Sequence, residues 1–147
     1  AHLKFYMADL QADLASATAI TRGFSLGWKL TDKIGLVWPV GQDPVTLETE
    51  PSLEATLSLA TDTTGLGLIS KMRTGATKWF RVKAEGDTIE STYKNTFQID
   101  FPAQVKEVGE FSDEDRIYLV EYTLQGIHDG TWGKAFQIDV TAAVSAL

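Results

Sequence analysis

Tyr93-Lys94-Asn95-Thr96-Phe97-Gln98-Ile99-Asp100-Phe101 alternates apolar and polar residues without a break. Such alternation predicts a strand with one buried face. An apolar-spaced run follows, up to the acidic turn Ser112-Asp113-Glu114-Asp115. The next segment, Ile117 to Leu124, is apolar at nearly every position, which predicts a strand covered on both faces. A Gly-rich turn from His128 to Lys134 then leads to a third strand, Phe136 to Val140.

The two-sided apolar strand raises the question of what covers its second face. Ile34 to Val40 and, in part, Lys78 to Ala84 have the same character, and the sequence predicts no helix near Ile117 to Leu124. Either two sheets pack into a sandwich, or subunits complete each other's sheets. Both explanations predict a mostly-β domain, sandwich or barrel-like, in which a partner chain is a natural candidate.

The rest of the chain adds further short strands, for a total of about seven to nine. Phe24 to Leu30 alternates cleanly, and Thr31-Asp32-Lys33 is a predicted turn. Two period-two runs lie on either side of Pro51, which interrupts them. The segment His2 to Leu14 fits either a strand or a helix.

One short α-helix is predicted, at about Asp62 to Arg73. Thr61 or Asp62 can cap its first turn, and Gly75 suits the left-handed position after its last turn. Its glycines weaken it, so it must depend on tertiary packing. The residues predicted to pack it on the sheet are Leu66, Ile69 and Met72, together with Leu68.

Composition limits the possible classes of protein. The 147 residues fit one domain, 1–147, and 44% hydrophobic with 22% charged residues is ordinary for a soluble globular chain. Apolar runs fall short of the ~20 residues that a membrane-spanning helix needs. The absence of cysteine excludes disulfides and thiolate chemistry. A net charge of -7, concentrated in the C-terminal half, argues against tight binding of nucleic acid.

Residues with catalytic spacing are scarce. The chain has two histidines, His2 and His128, and neither accompanies a Gly-x-Ser-x-Gly motif. Asp113 and Asp115 are weak candidates for a cation site, because their turn lacks EF-hand spacing. Gly65-Leu66-Gly67 lacks the further residues of a phosphate loop. We therefore predict that the chain is not an enzyme and has no cofactor and no firm metal site.

The four tryptophans, Trp28, Trp38, Trp79 and Trp132, leave two interpretations open. Tryptophan in a β-sandwich is typical of core or interface anchors. An exposed tryptophan also provides a flat surface on which a sugar can stack. A carbohydrate-binding β-sandwich module is therefore an alternative function.

Two regions of the chain resemble a known family. One region resembles the C-terminal region of major tail proteins of long-tailed bacteriophages. It consists of the acidic turn, then Ile117 to Leu124, and then His128-Asp129-Gly130-Thr131-Trp132-Gly133-Lys134-Ala135-Phe136. A second region resembles the middle of the same proteins. It consists of Leu53-Glu54-Ala55-Thr56-Leu57, the predicted helix and Trp79-Phe80-Arg81-Val82. The likeness covers residues 45–147.

The resemblance implies a tail tube subunit, a structural virion protein made in the host bacterial cytoplasm. Such proteins form hexameric rings that stack into a hollow tube, through which DNA passes without specific binding. It implies other copies of the chain, the tape-measure protein and the tail terminator as partners. Tail-tip and tail-completion proteins share the pattern and remain alternatives. The residues we expect at the subunit interface are Tyr118, Val120, Tyr122, Trp132 and Phe136.

Overall fold

Strands make up most of the molecule. The computed structural model describes residues 2–21, 23–37, 41, 43, 45–90, 93–114 and 116–142. Trp38 to Val40, the end of one predicted strand, and Asp115 lie outside these residues. The elements in chain order are β1 (His2–Ala8), a 3₁₀ helix (Gln11–Ala15), β2 (Gly23–Val37), β3 (Val45–Ala60), α1 (Thr63–Thr74), β4 (Lys78–Glu90), β5 (Tyr93–Glu114), β6 (Ile117–Gly126) and β7 (Gln137–Thr141). The predicted mostly-β class with one α-helix is confirmed.

The strands form one antiparallel sheet that folds over on itself. Its order is β1-β4-β5-β6-β3-β2, and β7 pairs with β5 beside this path. Buried side chains of β1, β4 and the start of β5 share one core with those of β3 and β6. Trp28, on the last strand of that order, stacks on Phe97 of β5 with ring centroids 6.3 Å apart. Strands far apart in the order therefore meet, which gives the predicted sandwich or barrel-like architecture.

β5 is the strand that connects the two layers. Its first part pairs with β4 along one edge and with β7 along the other, and residues 103–114 pair with β6. The prediction that this strand ends at Phe101 was wrong, since the strand continues through Pro102. Proline cannot donate to a ladder, and Pro102 lies where β5 changes partners. Its carbonyl accepts a hydrogen bond from the Ile127 amide at 3.0 Å.

β2 and β3 form a long hairpin that extends past the rest of the sheet. The turn predicted at Thr31-Asp32-Lys33 was wrong, because β2 continues through these residues and pairs with β3. A register shift lies there instead, opposite Pro51. An irregular position is where a strand tolerates a residue without an N–H. β6 pairs with residues 54–60 of β3, so the remainder of the hairpin projects beyond it.

α1 begins and ends where the sequence predicts. The Asp62 side chain accepts hydrogen bonds from the amides of Thr64 and Gly65 at 2.9 and 3.0 Å. Gly75 closes the helix with φ 61°, in the left-handed region. No helix in the part of the chain that the structure describes is long and apolar enough to cross a membrane.

The packing face of α1 is centred differently from the prediction. Leu68 is buried, and Ile69 packs partly buried against the core. Leu66 and Met72, which the sequence also places on that face, are instead 48% and 39% exposed. Gly65 explains the rotation, because a Cβ there would lie 2.2 Å from the Ala60 carbonyl oxygen. This close approach presses the Gly65 side of α1 onto the sheet and turns Leu66 outward.

A charged pair sits inside the layer formed by β4 and β5. Arg81 donates two hydrogen bonds to the Asp100 carboxylate, at 2.7 and 2.8 Å, and Asp100 is 3% exposed. Gln98 donates to the same carboxylate at 3.1 Å, and Arg81 also donates to the Leu14 carbonyl at 3.4 Å. The hydrogen bond to Asp100 raises the pKa of Arg81. The pair thus joins two strands and the 3₁₀ helix.

Candidate assembly surfaces

The first surface is the outward face of the segment β5-β6-β3-β2. Leu53, Ala55, Leu57 and Leu59 of β3 point into the core, so alternate residues point outward. These outward positions carry hydroxyl, amide and charged groups. They include Ser25, Lys29, Ser52, Glu54, Thr56, Ser58, Glu107, Glu121, Thr123 and Gln125. We call this set the polar face.

Side chains on the polar face bond to one another. The Ser25 hydroxyl donates to the Ser58 hydroxyl at 2.9 Å. The Lys106 ammonium lies 3.3 Å from a Glu54 carboxylate oxygen. Glycine at position 27 keeps the face flat, because a Cβ there would lie 2.7 Å from the Thr56 hydroxyl. The residues of the polar face are therefore hydrophilic and of mixed charge, and they form a flat surface.

β6 has one continuous apolar face within the chain, and the prediction that both faces are covered along the whole strand was wrong, although Leu119 on the opposite face is also buried. Val120, Tyr122 and Leu124 are fully buried in the core. On the other face Glu121 is exposed and Thr123 is half-buried. The apolar run misleads because its first residues, Ile117 and Tyr118, lie at the exposed start of the strand.

Two edges of this segment carry no strand partner among the described residues. One is the outer edge of β2, at the end of the strand order. The other is the edge of residues 104–114 of β5 that faces away from β6, since β4 pairs with β5 only as far as Ala103. The two open edges lie at opposite ends of the four strands. An edge with free N–H and C=O groups is ready to pair with another chain.

An exposed apolar cluster accompanies the β2 edge. Leu26, Trp28 and Leu30 alternate on the side of β2 that faces the core, and we call them the β2 patch. Trp28 is 44% exposed and Leu30 is 37% exposed, although each pairs with a buried residue of β3. Sequence reasoning did not select these residues as interface candidates. Their strict alternation is visible in the sequence, but their place at a sheet edge comes from the strand order.

Further exposed apolar residues lie on the open part of β5 and on α1. Phe111 pairs with Val120, which points into the core, and is itself 62% exposed. α1 lies beside this part of β5, since Gln104 donates to the Gly75 carbonyl at 2.9 Å. We call the exposed residues Leu66, Met72 and Phe111 the helix-side patch. Both patches lie on the core side of the same sheet, at opposite ends.

The interface residues predicted from the sequence are scattered. Tyr118 is 64% exposed, so its role at an interface stays a prediction. Val120 and Tyr122 are fully enclosed in the subunit's own core, where a neighbour cannot touch their side chains. Trp132 packs edge-on against buried Trp79 with centroids 5.0 Å apart. Phe136 is partly buried against the core.

Among the residues that the structure describes, the candidate polar side chains hold turns. His128 is exposed, and the neighbouring Asp129 carboxylate accepts from the amides of Thr131 and Trp132, so it holds a turn. Asp113 likewise accepts from the Arg116 amide at 3.0 Å. Within the described ranges, no three His, Asp or Glu side chains are grouped as a metal site requires.

Comparison with known proteins identifies the fold. No protein-family model and no curated protein sequence matches the chain. Solved structures do match it. A chain of the virion of a native gene transfer agent particle superposes with a TM-score of 0.56 and 10% identity, over 95% of both chains. A chain of the SPP1 tail tube superposes with a TM-score of 0.57 and 14% identity, over 84% of this chain and 72% of that one. The resemblance to tail tube proteins is confirmed at the level of the fold.

Proposed function

We propose that this chain is a tail tube subunit, a structural component of a phage virion. It assembles with copies of itself into closed rings, hexameric as the resemblance implies, that stack around a passage for DNA. The tape-measure protein and the tail terminator are its further proposed partners, and the host bacterial cytoplasm its site of synthesis. The fold shared with the SPP1 tail tube supports the proposal.

The observation that carries this proposal is the pair of open edges at the two ends of β5-β6-β3-β2. Neighbouring strands in this segment are antiparallel, so β5 and β2 run in opposite directions. The β2 edge of one copy can therefore add to the β5 edge of the next as another antiparallel pair. Such head-to-tail contacts close into a ring when the rotation permits, and closure leaves no lateral edge exposed.

We propose that the polar face lines the passage, and the chemistry of the two faces supports this. The core side of the segment is covered by the subunit's second layer, so the polar face is left for the lumen. The polar face carries three carboxylates, Glu54, Glu107 and Glu121, and two ammonium groups, Lys29 and Lys106. The Lys106 ammonium pairs with the Glu54 carboxylate. Lysine and arginine contacts to phosphates are what hold DNA to a protein. A surface with few free cations lets DNA pass without specific binding.

Electron microscopy of the concentrated protein tests the proposal. We expect rings or tubes in negative stain, increasing with protein concentration. Uniform monomers across a range of salt would contradict a tube subunit. Single rings that never stack would instead favour a tail-tip or tail-completion protein. A filter-binding assay with duplex DNA is the second measurement, and tight, salt-sensitive binding would contradict the proposed lumen.

The carbohydrate-binding alternative gains no support from the described tryptophans. Trp79 is 6% exposed, and Trp132 stands at 80° to it rather than beside it in one plane. Trp28 already stacks on Phe97 of the same chain. A sugar platform needs an exposed aromatic face that is free of such contacts.

A further inference from the structure

We infer that Trp28 anchors each subunit to helix α1 of its neighbour. In this contact the β2 patch of one copy packs on the helix-side patch of the next. The inference rests on the proposed function, because it names the contact by which neighbouring tube subunits recognise each other. It adds a side-chain interface to the backbone pairing of the two open edges.

The first step is that both patches lie on one side of the sheet. Trp28 pairs with Ala55, and Phe111 pairs with Val120, and both partners point into the core. α1 occupies the same side, since the Tyr122 hydroxyl donates to the Gly65 carbonyl from within the core. Side chains keep their side when a sheet is extended by another strand. An added β2 strand therefore brings its Trp28 to the side of the sheet that α1 occupies.

The second step is that one flank of α1 is already occupied by its own chain. Lys71 lies 3.6 Å from Asp9, and Lys78 at the start of β4 lies 2.6 Å from the same carboxylate. Leu66 is five residues from Lys71, which places it about 140° away around the helix axis. Leu66 therefore lies on the flank of α1 opposite the one that Lys71 holds against Asp9, and that flank is open to a neighbour.

The third step is that a contact between the two patches removes exposed apolar surface from both. Trp28 stacks on Phe97 of its own chain, yet it, Leu30, Leu66 and Phe111 are each between 37% and 62% exposed in the single chain. An isolated exposed apolar residue needs no explanation, but two clusters beside two open edges do. Head-to-tail addition covers both with one contact, which is continuous with the strand pairing. Tryptophan is among the residues that most often dominate such interfaces.

Site-specific cross-linking tests this contact, and the cysteine-free chain suits it. The double variant Leu30→Cys/Leu66→Cys, which keeps Trp28, is treated with a short bis-maleimide under conditions in which the wild type forms rings. We expect a ladder of covalent multimers on a denaturing gel, because each copy links to two neighbours. The matched control is Leu30→Cys/Leu3→Cys, since Leu3 is 62% exposed but lies on β1. We expect no ladder from the control.

The outcomes separate this inference from the proposed function. If the cysteine variant forms rings by microscopy but gives no ladder from the Leu30/Leu66 pair, or if the control gives an equal ladder, the contact is overturned and the tube function stands. Absence of rings from the wild type itself would overturn both.

A second pair of variants guards against a cysteine variant that fails to fold. We expect Trp28→Lys to unfold at a denaturant concentration near that of the wild type yet to form no rings. Trp28→Phe keeps an apolar ring at the edge, and we expect it to assemble. Folded Trp28→Lys that still forms rings would overturn the inference.

Discussion

The two parts of β5 differ although they belong to one continuous strand. In the part up to Phe101, residues 96–100 pair on both edges, and Ile99 and Phe101 are fully buried. Residues 104–114 pair on one edge, with Glu107 and Phe111 exposed. The first part therefore supports the fold of the single chain, and the second is available to a neighbour. A strand can serve both needs because its partners change at Pro102.

The sharpest test of this division is a cavity in the first part. Phe101 is 1% exposed and stacks on Phe80 with centroids 5.6 Å apart. We expect Phe101→Ala to lower the free energy of unfolding by about 4 kcal/mol, as measured by urea denaturation. The control is Phe111→Ala in the second part, which we expect to change it by less than about 0.5 kcal/mol. Equal losses from the two variants would break the comparison.

A smaller loss is expected from the charged pair in the first part. Asp100→Ala leaves the Arg81 guanidinium enclosed without its carboxylate, at a cost of about 3 kcal/mol in unfolding free energy. Glu54→Ala removes the exposed pair with Lys106 and should cost less than about 1 kcal/mol. Thermal unfolding of the two variants side by side measures the difference. A cost at Glu54 as large as that at Asp100 would contradict the assignment of stability to the first part.

The next effect is smaller and depends on pH. Burial raises the pKa of Tyr122 to about 12, whereas an unfolded tyrosine ionises near its ordinary value of 10.0. Stability from this group is thus complete below that ordinary value and is lost as the pH rises toward about 12. We expect Tyr122→Phe to cost about 1 kcal/mol at neutral pH through the lost hydrogen bond to Gly65. Relative to the wild type, the variant should lose less stability above the ordinary tyrosine pKa.

Denaturation series over a range of alkaline pH measure this difference. Tyr93→Phe is the control, because Tyr93 is 69% exposed. If both variants respond to pH alike, Tyr122 is not the group responsible.

The smallest effect on folding should accompany a large effect on assembly. We expect Phe111→Lys to unfold within about 0.5 kcal/mol of the wild type, because the side chain is already exposed. A charge beside the open edge of β5 should nevertheless prevent ring formation, as charged residues do on protected edges. Analytical ultracentrifugation of the concentrated variant checks this. Sedimentation identical to that of wild-type rings would show that the second part does not meet a neighbour.

Local signals were the ones that the sequence conveyed well. Asp62 and Gly75 delimit α1 because capping depends on residues within one turn of the helix end. The alternation of Phe97, Ile99 and Phe101 predicted their burial for the same reason. The mostly-β fold class and the resemblance to tail tube proteins can therefore be predicted from the amino-acid sequence alone.

Features set by distant contacts were missed. The passage of β5 through Pro102 depends on where β4 ends and β6 takes over, which no short window contains. The exposure of Leu66 depends on how closely Gly65 meets Ala60. Trp28 resembles a core residue until the strand order places β2 at an edge. The apolar run in β6 predicts two buried faces, but Ile117 and Tyr118 at its start are exposed. Their exposure depends on the turn that precedes the strand, which the apolar pattern does not reveal.

The register shift between Thr31 and Lys33 has a consequence for the speed of assembly. It divides the β2–β3 ladder into two regular stretches, which contain residues 25–31 and 33–37 of β2. Each stretch is short, so strand pairing along it binds two subunits only weakly. Irregular ladders also resist chance pairing. In the proposed assembly two subunits would therefore part readily, whereas a closed ring would hold every member at both ends. We expect a lag and a critical concentration, so that newly made subunits stay apart until a template starts the tube.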